Sequence, residues 1–429
     1  MFVKRRWLLA ALMLLVCGNI GAAEEPKPAT PAAGPAVGEA VSVFKSSDDR
    51  GEAWDSAEHV GKNYLVVYFY PADFTGGCGK QAETFRDTMS QFTDQGIAVI
   101  GVSGDAVKTH QLFKEALKLN YTLLADEAGE VAAKFGVPKS PGGFVMPYGP
   151  DRKPLLNEAG ERFRIERQAT FARWTFLVGR DGKLLYKNTK VNPANDAKQI
   201  LEFVRNEQTI AEIRKLGGQV EVDETSPIRT ATSVQMVGCR YKDDDHVWLA
   251  SLPLLRTVRL GHSITDAGLV NLAGLKNVEA LTMPGAPIKG FGLSQLSGLT
   301  KLRTLDLEST QISDASLVYL QGFKELQTLN LGSTPITGRG LQHLSEMTSL
   351  ESLNLDFTDE SLTDDAIKQL KGLTKLKTLV LSNSSVTDAG LETLKALTHL
   401  ETLNVEGTFV TDAGVVDFQN ALPKVKVMR

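Results

Sequence analysis

The chain has 429 residues, enough for two or three domains, and its 42% hydrophobic and 23% charged residues exclude wholesale disorder. Lys and Arg number 47 against 51 Asp and Glu, a net charge of −4 that argues against a general nucleic-acid binder. Three cysteines rule out a disulfide framework, and no apolar run of about 18 residues marks a polytopic membrane protein. The first predicted element is a secretory signal over residues 1–23. Lys4, Arg5 and Arg6 form its basic start, Trp7 to Cys17 its apolar stretch, and Gly21-Ala22-Ala23 offer small residues for cleavage. An uncleaved anchor is the alternative. Both place the chain outside the cytoplasm, in the periplasm, at the cell envelope or secreted. Residues 24–40 are rich in Pro and Ala and read as a semi-extended linker.

From 41 to 206 strands and helices alternate, which predicts one α/β domain. Tyr64 to Tyr70 is a continuous apolar run, as a strand buried on both faces requires. Ile97 to Val102 and Thr175 to Val178 are two more strands, and Asp181-Gly182 turns the last into Leu184 to Tyr186. Helical stretches are expected at Gln81 to Phe92, His110 to Leu119 and Gly129 to Phe135.

The segment that leaves the first long strand is Pro71-Ala72-Asp73-Phe74-Thr75-Gly76-Gly77-Cys78. A cysteine at a helix start sees unpaired amides and the positive end of the dipole, which favour thiolate over thiol. A nearby guanidinium from Arg173 would favour it further. Charge that develops in a reaction at such a thiolate is stabilised by fixed donors; Thr75, the Cys78 amide and Arg173 are the candidates. With Tyr68-Phe69-Tyr70-Pro71, Phe85-Arg86-Asp87, Val102-Ser103-Gly104-Asp105, Tyr121 to Asp126 and Arg173-Trp174-Thr175-Phe176-Leu177, the segment resembles the peroxiredoxins. The bacterioferritin-comigratory or peroxiredoxin Q branch, in the AhpC/TSA superfamily, is the nearest. The resemblance implies a thioredoxin-like fold, Cys78 as peroxidatic cysteine with Thr75, Pro71 and Arg173 as its partners, a hydroperoxide substrate and a thiol reductant. Pro71 would shield the thiolate from water.

Members of that branch often carry a resolving cysteine five residues after the first, where this chain has Glu83, and Thr or Pro directly after it, where this chain has Gly79. The stretch from Val137 to Arg173 is longer than usual, with Pro141-Gly142-Gly143 and an added hairpin around Leu155 to Arg167. The resemblance therefore implies a one-cysteine cycle, in which Cys78 becomes a sulfenic acid that an external thiol, thioredoxin-like or small, reduces. Cys239 is either a packed residue of the C-terminal region or a resolving thiol, and the second use needs the two Cα atoms within about 7 Å. The six histidines are scattered, no phosphate loop stands out, and neither metal nor cofactor is expected.

Thr209 to Leu216 is expected as a polar connector helix, and the whole of 207–232 as connector and cap. From 233 to 429 the period changes. Leu302/Leu305/Leu307 recurs as Leu326/Leu329/Leu331, Leu350/Leu353/Leu355, Leu376/Leu379/Leu381 and Leu400/Leu403/Val405, every 24 residues apart from one step of 26. Thr265-Asp266, Thr387-Asp388 and Thr411-Asp412 mark helix starts, where side-chain oxygens cap amides. This pattern resembles the leucine-rich repeats, implying a solenoid of one strand and one helix per repeat. Asp243-Asp244-Asp245-His246 aligns with a helix start rather than a metal site. The columns Thr257 to Thr402 and Arg259 to Asn404, which would face the concave side, are small or polar, so no tight protein partner is expected on that face; a partner on the convex side, at an edge or in the α/β domain is left open.

The leading reading is thus an exported thiol peroxidase localised by its repeats. Its rival is a non-catalytic exported binding protein whose repeats recognise a protein partner. Thr75, where a Cys-x-x-Cys pair needs its first cysteine, weakens a thiol–disulfide oxidoreductase.

Overall fold

The computed structural model describes residues 34–226, 228–239, 241–358 and 362–429. The expected signal and most of the expected linker lie outside them. The linker's last residues are not free: the Gly38 N–H donates to the Leu184 carbonyl and the Leu184 N–H to the Glu39 carbonyl, both at 2.8 Å. Ordered backbone pairing therefore begins before residue 40.

The α/β region runs β1 (Lys45–Asp48), β2 (Ala53–Asp55), β3 (Tyr64–Phe69), α1 (Gly76–Asp94), β4 (Ile97–Ser103), α2 (Val107–Leu117), β5 (Thr122–Ala125) and α3 (Glu130–Lys134). It continues through β6 (Lys139–Val145), β7 (Ile165–Phe171), β8 (Trp174–Val178), β9 (Leu184–Asn188) and α4 (Asp196–Lys215). Seven strands form one sheet in the order β2-β1-β5-β4-β3-β8-β9, with β3 parallel to β4 and antiparallel to β8. Alternate residues of β3 serve opposite cores, as the pleat dictates. Leu65, Val67 and Phe69 pack with Val131 and Ala132 of α3 and Phe171 of β7. Val66 and Tyr68, with Tyr70 just beyond the strand, pack with Phe85 and Phe92 of α1 and Ile200 and Phe203 of α4. This layering is thioredoxin-like, and it ends β3 beside the start of α1.

The added hairpin is longer than the sequence suggested. Its paired strands are β6 and β7, extended by bridges at Tyr148–Pro154 and Leu156–Arg162.

The expected connector helix is not a separate element but the second half of α4. Leu201, Phe203 and Val204 sit in the α/β core, while Ile210 and Ile213 of the same helix sit in the core of the repeats. The polar residues between them, which read as a boundary, have partners. The Asn206 Nδ2 donates to the Ile228 carbonyl at 3.2 Å, and Glu207 pairs with Arg229 at 3.2 Å.

β10 (Gln219–Asp223) and β11 (Thr230–Gln235) form an antiparallel hairpin at the edge of the second sheet. Strands from β12 (Thr257–Arg259) to β19 (Lys426–Met428) then add one by one in parallel. Leu281, Leu305, Leu329, Leu353, Leu379 and Leu403 stack inside, and the two polar columns run along the sheet in register. The outer side differs from the expected helices in its first copies. Gly268–Leu272, Phe291–Gly298, Asp314–Gly322 and Gly340–His343 are 3₁₀ turns, and among the described residues of the repeats α-helix appears only in α5 (Asp364–Ile367), α6 (Asp388–Leu394) and α7 (Asp412–Ala421). Leucines three apart, as in Leu293/Leu296 and Leu317/Leu320, eclipse on a 3₁₀ turn and enter the core together.

The repeat aspartates reach across to the next coil, while Thr387 and Thr411 cap their own helices. Asp314 accepts the Thr337 N–H at 2.8 Å and its hydroxyl at 2.5 Å, one repeat further on. Asp243/Thr265, Asp364/Thr387 and Asp388/Thr411 do the same. These carboxylates bind successive coils to one another.

Candidate active site

The loop from β3 to α1 is shaped by buried charge. Asp73 has no exposed surface; its Oδ1 accepts the Tyr70 hydroxyl at 2.8 Å and its Oδ2 faces the His110 Nδ1 at 2.8 Å. The His110 Nε2 lies 3.2 Å from the Leu124 carbonyl oxygen, which can only accept, so both ring nitrogens face acceptors, an arrangement that favours the protonated ring. Burial works against that charge, but the charge and hydrogen bond of Asp73 prevail and raise the His110 pKa above its ordinary value. The Asp73 N–H donates to Asp105 at 2.9 Å, and burial followed by the Asp73 charge pushes the Asp105 pKa up to about 6. Held in this way, Phe74 adopts a left-handed φ of 57°, a costly conformation for a bulky residue, with its ring wedged between Phe113 and Tyr148.

Thr75 is the N-cap of α1 and Cys78 is the third residue of the helix. The first intrahelical bond runs from the Gly79 N–H to the Thr75 carbonyl at 2.8 Å, so the Cys78 amide precedes the helical ladder. Cys78 is buried at 1% exposure, and its Sγ accepts a hydrogen bond from the Arg173 Nη2 at 3.1 Å. A side chain on Gly77 would come within 3.3 Å of that guanidinium, which explains a glycine there. The Thr75 hydroxyl does not cap the helix; it donates to the Ala72 carbonyl at 3.2 Å. With its proton so engaged, the hydroxyl presents lone pairs rather than the donor foreseen from the sequence. Pro71 is half-buried at the head of the same loop. Arg173 arrives from just before β8, whose first residue, Trp174, pairs with Phe69 at the end of β3.

Sequence reasoning missed two members of this arrangement. Gln81 lies one turn after Cys78 and its Oε1 accepts from the Arg173 Nη1. The Gln81 Nε2 donates to Asp196, the first residue of α4, at 2.7 Å. The spacing of three from Cys78 could have flagged Gln81 as sharing its helix face. Nothing local flags Asp196.

The two departures around Cys78 also find partners. Gly79 faces Tyr148 of the added hairpin, whose hydroxyl would lie 3.3 Å from a side chain there. Glu83 pairs with Arg152, which also donates to the Tyr148 hydroxyl at 2.7 Å and lies over its ring. The hairpin is thereby fastened to α1. Cys239 lies at the far end of α4, its Sγ 3.8 Å from where a side chain on Gly217 would stand. Asp196, beside Gln81, marks the near end. At about 1.5 Å of rise per residue, α4 separates the two cysteines by roughly 30 Å. Among the described residues no cluster of His, Cys, Asp and Glu could hold a metal ion.

The AhpC/TSA family model matches residues 37–187. A Coxiella burnetii protein bearing the name peroxiredoxin bcp is 39% identical over 126 residues, which cover 29% of this chain and 83% of the relative. The chain belongs to the peroxiredoxin family. Chloroplastic peroxiredoxin Q of Suaeda salsa is 47% identical over 96 residues, 22% of this chain and 44% of its own length. The chain spans a little under half the length of the chloroplastic peroxiredoxin Q relatives it matches. Among solved structures, peroxidoxin BcpB from Mycobacterium tuberculosis aligns with a TM-score of 0.31 and 27% identity, over 39% of this chain and 94% of that one. Leucine-rich repeat models match residues 298–320 and 372–395, so the peroxiredoxin region is fused to a repeat solenoid.

Proposed function

We propose that this peroxiredoxin is a thiol peroxidase acting on hydrogen peroxide or small organic hydroperoxides. The observation that carries this reading is the Arg173 guanidinium at 3.1 Å from a buried Cys78 sulfur at a helix N-terminus. Cys78, as thiolate, attacks the near oxygen of the hydroperoxide. An S–O bond forms, the O–O bond breaks, and the departing oxygen leaves as alkoxide or hydroxide and takes up a proton. Sulfur is oxidised by two electrons and the peroxide reduced by two. Arg173 and the Cys78 amide face the negative charge as it develops, and the Thr75 hydroxyl accepts the hydroperoxide's own proton in a hydrogen bond.

The cycle is of the one-cysteine type. Glu83, paired with Arg152, stands where a resolving cysteine would be, and Cys239 lies roughly 30 Å away along α4. An external thiol therefore displaces water from the sulfenic acid, and a second thiol releases Cys78. The repeats serve localisation or binding of a protein partner, and the basic and apolar N-terminal segment directs export.

Peroxide consumption by the chain with dithiothreitol tests the chemistry. Cys78→Ser should abolish it, with sulfenic acid detected by intact mass on Cys78 in the parent. A chain that consumes no peroxide while Cys78 stays reduced would sink the reading. Fractionation of cells expressing the full chain tests export; recovery in the cytosol alone would count against it.

A further inference from the structure

Behind Arg173 lies a buried carboxylate that the chemistry above leaves unused. Asp196 has no exposed surface. Its Oδ2 accepts from the Gln81 Nε2 and the Thr175 Oγ1, both at 2.7 Å, while its Oδ1 is buried with no partner. Gln81 is equally buried, and its amide has a donor end and an acceptor end. With Nε2 given to Asp196, Oε1 must face Arg173, where it accepts from Nη1 and leaves Nη2 for the Cys78 Sγ. Turned end for end, the amide would set donor against donor at the guanidinium. An ionised carboxylate only accepts, so Asp196 forbids that orientation.

A purely structural residue would sit poorly here. Burial pushes the Asp196 pKa up to about 6, against the hydrogen bonds from Thr175 and Gln81 and the Arg173 charge, so its ionised form weakens the fold near neutral pH. The groups around it are few. Arg173 precedes β8, Thr175 lies on it, Tyr186 is on β9, Gln81 is on α1, and the next charged residue of its own helix, Lys198, points to solvent.

We infer that Asp196 is a positioning residue for Cys78: by fixing the Gln81 amide it aims the Arg173 guanidinium at the sulfur. This deepens the peroxidase reading and rests on it, but its first consequence is the nucleophilicity of Cys78, which needs no peroxide to measure.

The test is a double-mutant cycle on the full chain. Alkylation of Cys78 by iodoacetamide and its oxidation by hydrogen peroxide are followed from about pH 5 to about pH 8 in the parent, Asp196→Asn, Gln81→Leu and the double variant, beside each melting temperature. Asp196→Asn should slow both reactions roughly ten-fold near pH 7, about the cost of one misdirected charged hydrogen bond, with a melting temperature equal to or above the parent's. In the Gln81→Leu background the same substitution should change nothing further. The parent's rates should also fall more steeply than the variant's as pH drops through about 6. If Asp196→Asn fails to fold, Asp196→Ser takes its place in the cycle. Rates within two-fold of the parent, or effects that simply multiply in the double variant, would overturn the inference. Loss of peroxide turnover in the parent with the alkylation cycle intact would instead overturn the peroxidase reading alone.

Discussion

In the repeats, a carboxylate finds its partner one coil away, and the contact recurs: Asp243 with Thr265, Asp314 with Thr337, Asp364 with Thr387, Asp388 with Thr411. In the α/β region, Asp196 finds Gln81 and Thr175 across three separate elements, once. The repeated contact tolerates exceptions and the chain contains them. Wherever a coil supplies the aspartate, the next has a glycine whose side chain would strike it, as at Gly268, Gly340, Gly390 and Gly414. Where Gly290 and Gly338 occupy the aspartate's place, the next coil carries Ser316 and Ala366 instead. Such pairs can be exchanged as units. The site around Cys78 has no second copy to draw on, so a single change there should act alone and act strongly.

That contrast can be broken at several points. The largest effect belongs to Arg173→Ala, which should lower the rate of Cys78 oxidation by roughly a hundred-fold, the scale of losing one fixed oxyanion donor. Stopped-flow oxidation measures it, and a loss under three-fold would place the guanidinium outside the reaction. Next is Ile213→Ala, which should cost about 2–4 kcal/mol where α4 closes the repeat core, as cavities of that size do. Urea unfolding followed by circular dichroism reads it, and a cost below about 1 kcal/mol would mean α4 is not part of that core. Gly340→Ala should cost about 1–3 kcal/mol through its collision with Asp314. Adding Asp314→Gly should restore part of that loss, because it recreates the Gly338/Ala366 pairing; no recovery would deny that the pairs are units.

A smaller effect separates the regions by pH. Asp105 and Asp196, both pushed up to about 6, and His110, raised above its ordinary value, bind protons more tightly in the folded chain than in the unfolded one. Their combined contribution is full below the unfolded carboxylate range and is lost as pH rises, from about 4 to about 6 for the aspartates and beyond about 6.5 for His110. In the repeats Asp388 runs the other way. Hydrogen bonds from Thr411 hold its pKa below the ordinary carboxylate value, so its small contribution is present above that range and lost in acid. Scanning calorimetry should show the α/β transition rising between about pH 7 and about pH 5; a fall would contradict these directions. Cys239→Ser is the smallest, with turnover and over-oxidation unchanged.

The same contrast explains what the sequence disclosed. β3 was legible because an unbroken apolar run leaves few alternatives to a strand with two buried faces. The repeats were legible because each leucine is restated every 24 residues. Cys78, Thr75 and Pro71 share one short segment, and Arg173 joined them through a known motif. Gln81 and Asp196 escaped because their roles depend on which distant segments the sheet brings together. The unity of α4 escaped because Asn206 and Glu207 look solvated until Ile228 and Arg229 are seen closing over them. The 3₁₀ turns escaped because Leu-x-x-Leu suits either helix.

Because α4 belongs to both cores, the angle between the solenoid and Cys78 is a matter of helical phase. One residue inserted near Asn206 would turn the repeats by about 100° around the helix axis and advance them by about 1.5 Å. Anything docked on the repeats therefore faces the sulfur from one fixed bearing. Within reach it meets Cys78 at an effective concentration set by geometry, and out of reach no flexible tether brings it closer.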